Sequence, residues 1–449
     1  MLGIPEFLRQ AAAVRPTPRQ CAWFETEFYG FVHFGVNTYT GREWGDGSED
    51  PAIFNPADLN CDQWVEAFRS AGMRGMVLTA KHHDGFCLWP SKHTAHSVAS
   101  SPFQGDVVRE AAEACRRGGL KFGVYLSPWD RNSPLYGTDE YNDYYKAQLV
   151  ELLTGYGELF MVWLDGACGE GPNGRRQEYD WAGIHELVRQ HQPNAAIFNG
   201  EDVRWIGNEA GTSRFAEWAV VPVELPALAP PLKPLTGPGP LAGDLSYLSN
   251  TLQQQGDLAT ILQSKGLCYR PAEVDMSIRP GWFYHPGEEP HSLDRLFDTY
   301  CRSVGGNACL HLNVPPMPNG KLDPRDVARL KALGERIRKT FRADCAPQAK
   351  RDAEVPGPVQ YLETLTWESP RTVQAVVLSE PLDKGQRVEH FLMEAQDGDG
   401  AWSVCCEGTI IGHKRICRLP GLATTGLRVR VTAARDAVES LGIAVFEAE

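Results

Sequence analysis

Eight short runs of this chain are apolar on nearly every consecutive position: 28–36, 75–80, 120–126, 159–164, 195–198, 215–221, 274–278 and 309–314. A strand wetted on one side alternates polar and apolar residues, whereas a run without alternation has no wet face. The pattern therefore predicts strands of a parallel sheet covered by helices. Between them, Cys61–Ala71 (CDQWVEAFRSA), 107–117 and 181–190 each carry one apolar stripe at helical spacing. Asp106 stands where an N-cap belongs. About eight strands alternating with helices predict an α/β fold, a (β/α)8-type barrel that need not close perfectly. The stretch 215–221 is the least regular of the eight. Residues 222–240 (PVELPALAPPLKPLTGPGP) are so rich in Pro that a loop across the barrel mouth is expected.

After a helical pattern over 322–342 the character changes. Residues 349–449 lack helical periodicity and offer short alternating strands at 372–378, 387–395, 403–407, 415–419 and 426–432, with turn signals at Asp397-Gly398 and Asp399-Gly400. The expected division is a catalytic barrel over 1–345 followed by an all-β sandwich over 346–449. No aromatic platform stands out in the second part, so a buttress is expected there rather than a sugar-binding module.

Composition narrows the partners. The 449 residues suffice for such a barrel plus a second domain. With 44 basic against 57 acidic residues the net charge is −13, and no basic stretch is present, so a nucleic-acid partner is not expected. The twelve cysteines form no C-x-x-C pair or tight Cys/His cluster, which suits reduced thiols and implies neither metal nor cofactor. The first residues lack a basic segment leading into an apolar core, and no apolar run is long enough for a membrane span. A cytoplasmic location is the expectation, or a secreted one if a leader has been removed. The oligomeric state is not written in the sequence.

Barrel enzymes carry their chemistry at the C-terminal ends of the strands. Read in order, those ends give His33, Asn37, Glu43 and Trp44; Lys81-His82-His83-Asp84, Phe86 and Trp89; Tyr125, Ser127 and Trp129-Asp130-Arg131-Asn132; Trp163 and Asp165; Asn199, Glu201 and Asp202, then Arg204, Trp205, Asn208 and Glu209; and Arg279, Trp282, Phe283 and His285. Carboxylates, histidines and the four tryptophans Trp44, Trp89, Trp163 and Trp282 at one rim suit a sugar, whose C–H faces stack on aromatic rings while polar groups fix its hydroxyls. A carboxylate pair is what glycosidic cleavage requires. Asp165, ending the run FMVWL, is the leading candidate; the plainer alternative is an Asp capping the next helix. His82 and His83 could bind metal, although neighbours on one strand point to opposite faces. The adjacent Lys81 and Asp84 favour hydrogen bonding to a substrate instead.

FVHFGVNTYTGREWGDG, LTAKHHDGFCLWPS, KFGVYLSPWDRN, MVWLDGACGEG and VDMSIRPGWFYH, in this order, resemble the α-L-fucosidases of glycoside hydrolase family 29. The forms VHFGVNTYTGREWGDG and SIRPGWFYH are more similar to the branch that prefers α-1,3/1,4-linked fucose on Lewis-type glycans than to the broad-specificity branch. The resemblance implies a retaining mechanism without cofactor or metal, acting on a fucosylated oligosaccharide or glycoconjugate. Asp165 would be its nucleophile, with His33, Glu43, Trp44, His82, His83, Tyr125, Trp163 and Trp282 lining the fucose pocket. For the acid/base it points to Glu209, in RWIGNEAG; Glu217, in FAEW, is second, and Glu201 and Glu273 are more remote. By rim position, Trp129, Asp130 and Arg131 are expected to meet the aglycone sugars. The rival readings are a broad-specificity fucosidase, a metal-dependent hydrolase using His82, His83 and Asp165, and a sugar-binding protein without turnover.

Overall fold

The computed structural model describes residues 5–214, 217–223 and 255–448. Its first ten strands are β1 (Phe28–Val32), β2 (Gly75–Lys81), β3 (Lys121–Leu126), β4 (Met161–Trp163), β5 (Ala196–Phe198), β6 (Arg204–Trp205), β7 (Val220–Pro222), β8 (Leu267–Tyr269), β9 (Ala272–Ser277) and β10 (Ala308–Asn313). Eight of them form one sheet in the order β5-β4-β3-β2-β1-β10-β9-β6, parallel throughout. Its two ends meet at a single parallel bridge, Phe198 to Val203, which nearly closes the expected barrel.

The sixth stave differs from the expectation. It is the two-residue β6, not 215–221. Phe215 and Ala216 lie outside the described residues, and Val220–Pro222 instead pairs antiparallel with β8 in a separate two-stranded sheet. Two residues, one of them an arginine, are too short to register as an apolar run. Beyond Val223 the proline-rich stretch lies outside the described residues.

The helices fall where amphipathic spacing puts them, at Cys61–Ala71, Val107–Gly118, Trp181–His191 and Pro324–Thr340. Asp106 caps the second, accepting from the Arg109 amide at 2.9 Å. A further helix, Glu140–Gly155, buries Tyr141, Tyr145 and Leu149 against the barrel.

The lumen of the barrel is not oily. Glu273, fully buried, accepts from the Trp163 indole at 2.7 Å, from the His311 Nδ1 at 3.2 Å and from the Tyr29 hydroxyl. One carboxylate thereby links β1, β4, β9 and β10. A buried charge is tolerated only when hydrogen bonds replace its water, and three donors do so here.

The chain from Lys350 on is antiparallel, as expected: β11 (Lys350–Gly357), β12 (Gln360–Ser379), β13 (Val388–Gln396), β14 (Trp402–Gly408), β15 (Arg415–Ala434) and β16 (Gly442–Glu447). The two strands expected at 415–419 and 426–432 are parts of the single strand β15. β12 and β15 run side by side with register shifts between Thr366 and Arg371 and between Val373 and Ala375, and residues of both their halves share one core. Glu27 of the barrel accepts from His413 and Lys414 of this sheet domain, and these two partners hold its carboxyl at about 2 although burial alone would raise it.

Candidate active site

Three strand ends build one side of the barrel mouth. Trp163, at the end of β4, is stacked on Phe198 with centroids 4.0 Å apart and lies 5.2 Å from the Tyr125 ring. Its indole is anchored from below by Glu273, so the floor is held both by packing and by a hydrogen bond. Two residues on, Asp165 emerges partly exposed. The Tyr125 hydroxyl donates to its Oδ2 at 2.8 Å and the Ala167 amide to its Oδ1 at 2.8 Å. No helix begins after it before Trp181, so Asp165 is not a helix cap.

The histidines face the same space. Asn313, at the end of β10, donates through Nδ2 to the Ser277 hydroxyl and the Trp282 carbonyl, which turns its Oδ1 toward His33 at 2.9 Å. His33 Nδ1 must then carry the proton, leaving Nε2 as a bare acceptor. Burial holds this imidazole near 3, so it stays neutral. His83 repeats the arrangement. Ser127 gives its proton to the Trp129 carbonyl at 2.7 Å and so accepts from His83 Nδ1 at 2.7 Å. The free His83 Nε2 stands 3.8 Å from Asp165 Oδ2. Burial lowers the His83 pKa, against the pull of Asp165. Two neutral rings that offer lone pairs suit the hydroxyl donors of a sugar. His82 stacks at 5.8 Å on Tyr125, and its buried Nδ1 has no protein partner. Strand alternation does not separate His82 from His83, because β2 ends at Lys81 and both rings turn inward, 4.1 Å apart. Among the described residues, no group of three or more His, Cys, Asp or Glu side chains is arranged to hold a metal ion.

The opposite side is built by loops. Glu43 accepts from the Trp282 amide at 2.8 Å, the Phe283 amide at 3.3 Å and the His285 imidazole at 2.6 Å, tying the loop after β1 to the loop after β9. The Trp282 indole donates to Glu209 Oε2 at 3.0 Å and its ring lies 5.0 Å from His33. Trp44, 41% exposed, stands edge-on to His83 and Trp129 at the rim. Much of Glu209 is open to solvent, yet protein crowds its carboxyl group. That loss of water, reinforced by the negative charges of Asp165 and Glu43, pushes its pKa above the ordinary glutamate range, although the Trp282 N–H favours the charged form.

Other expected site residues lie elsewhere. Glu217 is 1% exposed and clamped between Arg204 and Arg214; burial would raise its pKa, but the two guanidinium groups hold it low. A carboxylate so paired cannot lend a proton to a substrate. Glu201 pairs with Arg19 and Arg189 on the surface. Asp130 is no aglycone contact: it is buried, pairs with the equally buried Lys81 at 3.0 Å and caps the Asn132 and Ser133 amides. Lys81 therefore cannot serve a substrate either. Asp84 binds the Asn37 side chain and the Phe86 amide at 2.7 Å, its carboxyl raised to about 7 by burial. Gly85 follows with a φ of +81° and turns the chain so close to Asp130 that a side chain there would collide. Trp89 belongs to the core, its indole donating to Glu151 at 2.8 Å. Trp129 does stay at the rim, largely covered between Trp44, His83 at 5.1 Å and the Arg131 guanidinium 5.3 Å over its ring. Sequence reasoning missed Asn313, the residue that orients His33; the signal was available, since it ends the eighth barrel strand.

Two carboxylates and a set of neutral imidazoles over an aromatic floor, at the C-terminal mouth of a parallel barrel, define a glycoside hydrolase. Known proteins agree. The family model described as Alpha-L-fucosidase matches residues 15–217 and 250–340. Alpha-L-fucosidase 1 of Arabidopsis thaliana is 37% identical over 94% of this chain and 85% of its own length. Among solved structures, a glycoside hydrolase 29 family member from an unknown rumen bacterium is 39% identical with a TM-score of 0.82, covering 97% of this chain and 78% of that one. A Ruminococcus gnavus GH29 fucosidase in complex with fucose is 28% identical with a TM-score of 0.81, covering 97% and 95%. The chain belongs to the α-L-fucosidase family, and the enzyme is an α-L-fucosidase.

Proposed function

We propose that this fucosidase works with retention of configuration on α-1,3/1,4-linked fucose of branched, Lewis-type glycans, with Asp165 as nucleophile and Glu209 as acid/base. The observation that carries the mechanism is a donor-braced Asp165 at the same mouth as a Glu209 that accepts from the Trp282 indole and has its pKa pushed up by crowding and by the charge of Asp165. In the first half-reaction the Asp165 carboxylate forms a bond to C1, the C1–O bond to the aglycone breaks, and the departing oxygen takes the Glu209 proton. In the second, water attacks C1 on the face the aglycone left, Glu209 takes its proton, and Asp165 is released as carboxylate. Retaining chemistry calls for about 5–5.5 Å between the two carboxyl groups in the closed site. His33 and His83 accept from fucose hydroxyls, and Trp163 and Trp282 offer ring faces to its carbon skeleton.

The linkage preference rests on the motif forms VHFGVNTYTGREWGDG and SIRPGWFYH. The test is to offer a Lewis trisaccharide, 2′-fucosyllactose and an aryl fucoside to the purified enzyme. Release confined to the first supports the preference, and equal release from all three overturns it. None of the twelve cysteines is in a disulfide, which fits a reducing compartment and makes cytoplasmic action part of the proposal.

A further inference from the structure

Glu209 lies only four residues beyond β6, the shortest stave of the barrel. β6 is held along one edge, where Arg204 and Trp205 pair with Ala272 and Glu273 of β9 and the Ile206 amide donates to the Glu273 carbonyl at 3.0 Å. The loop that follows is braced on itself. Asn208 Oδ1 accepts from the Ala210 and Thr212 amides at 3.1 and 3.2 Å, while its Nδ2 donates to the Thr212 carbonyl at 2.8 Å. Beyond Glu209 the loop is tied to β9 again, by a bridge between Ala210 and Met276, so the aim of Glu209 depends on how firmly the β6 root before it is fixed as well.

At that root one side-chain bond crosses from β6 to β9: the Trp205 indole donates to Asp275 Oδ1 at 2.8 Å. Asp275 is 3% exposed and stands two positions after Glu273, so both carboxylates face the lumen. Glu273 holds the indole of Trp163, two residues before Asp165, and Asp275 holds the indole of Trp205, four residues before Glu209. We propose that Asp275 is a positioning residue for the acid/base: through the Trp205 indole it fixes the strand from which the Glu209 loop departs. This inference rests on Glu209 being the acid/base. Burial above all, with Glu209 and Glu273 adding to it, raises the Asp275 carboxyl well above its usual range. Protonated or not, Oδ1 still accepts from the indole, so the clamp holds across the working pH range.

The test separates aim from folding by comparing leaving groups. Fluoride leaves α-L-fucosyl fluoride with little proton assistance, whereas a sugar alkoxide needs the acid. Trp205→Phe keeps the ring and removes only the donor; Asp275→Ala removes the acceptor; Asp275→Asn restores an acceptor oxygen. We expect Trp205→Phe and Asp275→Ala to lower kcat/KM on the best-cleaved fucosyl oligosaccharide about tenfold, the value of one lost hydrogen bond, with fucosyl fluoride held within about twofold. Asp275→Asn recovers most of the loss. Should Asp275→Ala fail to fold, Trp205→Phe alone decides. Equal losses on both substrates would overturn the inference. Glu209→Gln serves as reference: if it too treats the substrates alike, the acid/base assignment falls and the inference with it; if Glu209→Gln splits them and Trp205→Phe does not, only the inference falls.

Discussion

The two carboxylates of this mouth are mounted in opposite ways. Asp165 stands two residues beyond β4, a strand paired on both edges, and two donors and an imidazole surround its oxygens. Glu209 hangs from a loop at the end of the same sheet, and the one side chain that donates to it among the described residues is Trp282. The difference follows the chemistry proposed. A nucleophile does one thing, attacking from a fixed point, and gains from being immobilised before the substrate arrives. An acid that becomes a base must exist in both protonation states, so its surroundings cannot commit to either.

This contrast can be broken by substitution. Replacing Asp165 with Ala should reduce kcat on order 10⁴-fold or more while fucose binding, followed by calorimetry, persists; a variant turning over at full speed would remove the nucleophile from the scheme. Glu209→Gln should cost about 10²–10⁴ on a sugar aglycone. In the native enzyme kcat/KM should fall as pH rises through the raised pKa of Glu209, on a limb above the ordinary glutamate value of about 4.3, and that limb should vanish in the variant. Tyr125→Phe keeps the stacked ring and removes one donor from Asp165, for an expected loss of about 10- to 100-fold in kcat, since bonds to charged groups contribute about 1.5–3 kcal/mol. Selectivity changes least for two residues the sequence suggested for the site. Asp130→Ala and Glu217→Gln should each lower the melting temperature by removing a carboxylate that balances buried cations. Oligosaccharide and aryl fucoside should then lose rate in the same proportion, whereas an unequal loss would return either residue to the active site.

Much of this was legible from strand ends alone. A residue at the C-terminal tip of a buried strand has few places to go, and His33, His82, His83, Tyr125, Trp163, Asp165 and Trp282 do converge on one space. Partners from distant sequence were not legible. Asp130 and Lys81 look like rim residues until each neutralises the other, 49 positions apart. Glu217 looks as available as Glu209 until two arginines close on it. β6 escaped notice because two residues carry no periodicity; its place is set by neighbours that the chain reaches only later.

The Glu273 cluster carries a consequence for anyone redesigning this enzyme. Tyr29, Trp163, Glu273 and His311 share one charge on the axis of the cylinder, so no member can be exchanged without stranding a dipole on another. Changes there should be strongly epistatic, and new specificity is better sought in the outer loops than along that axis.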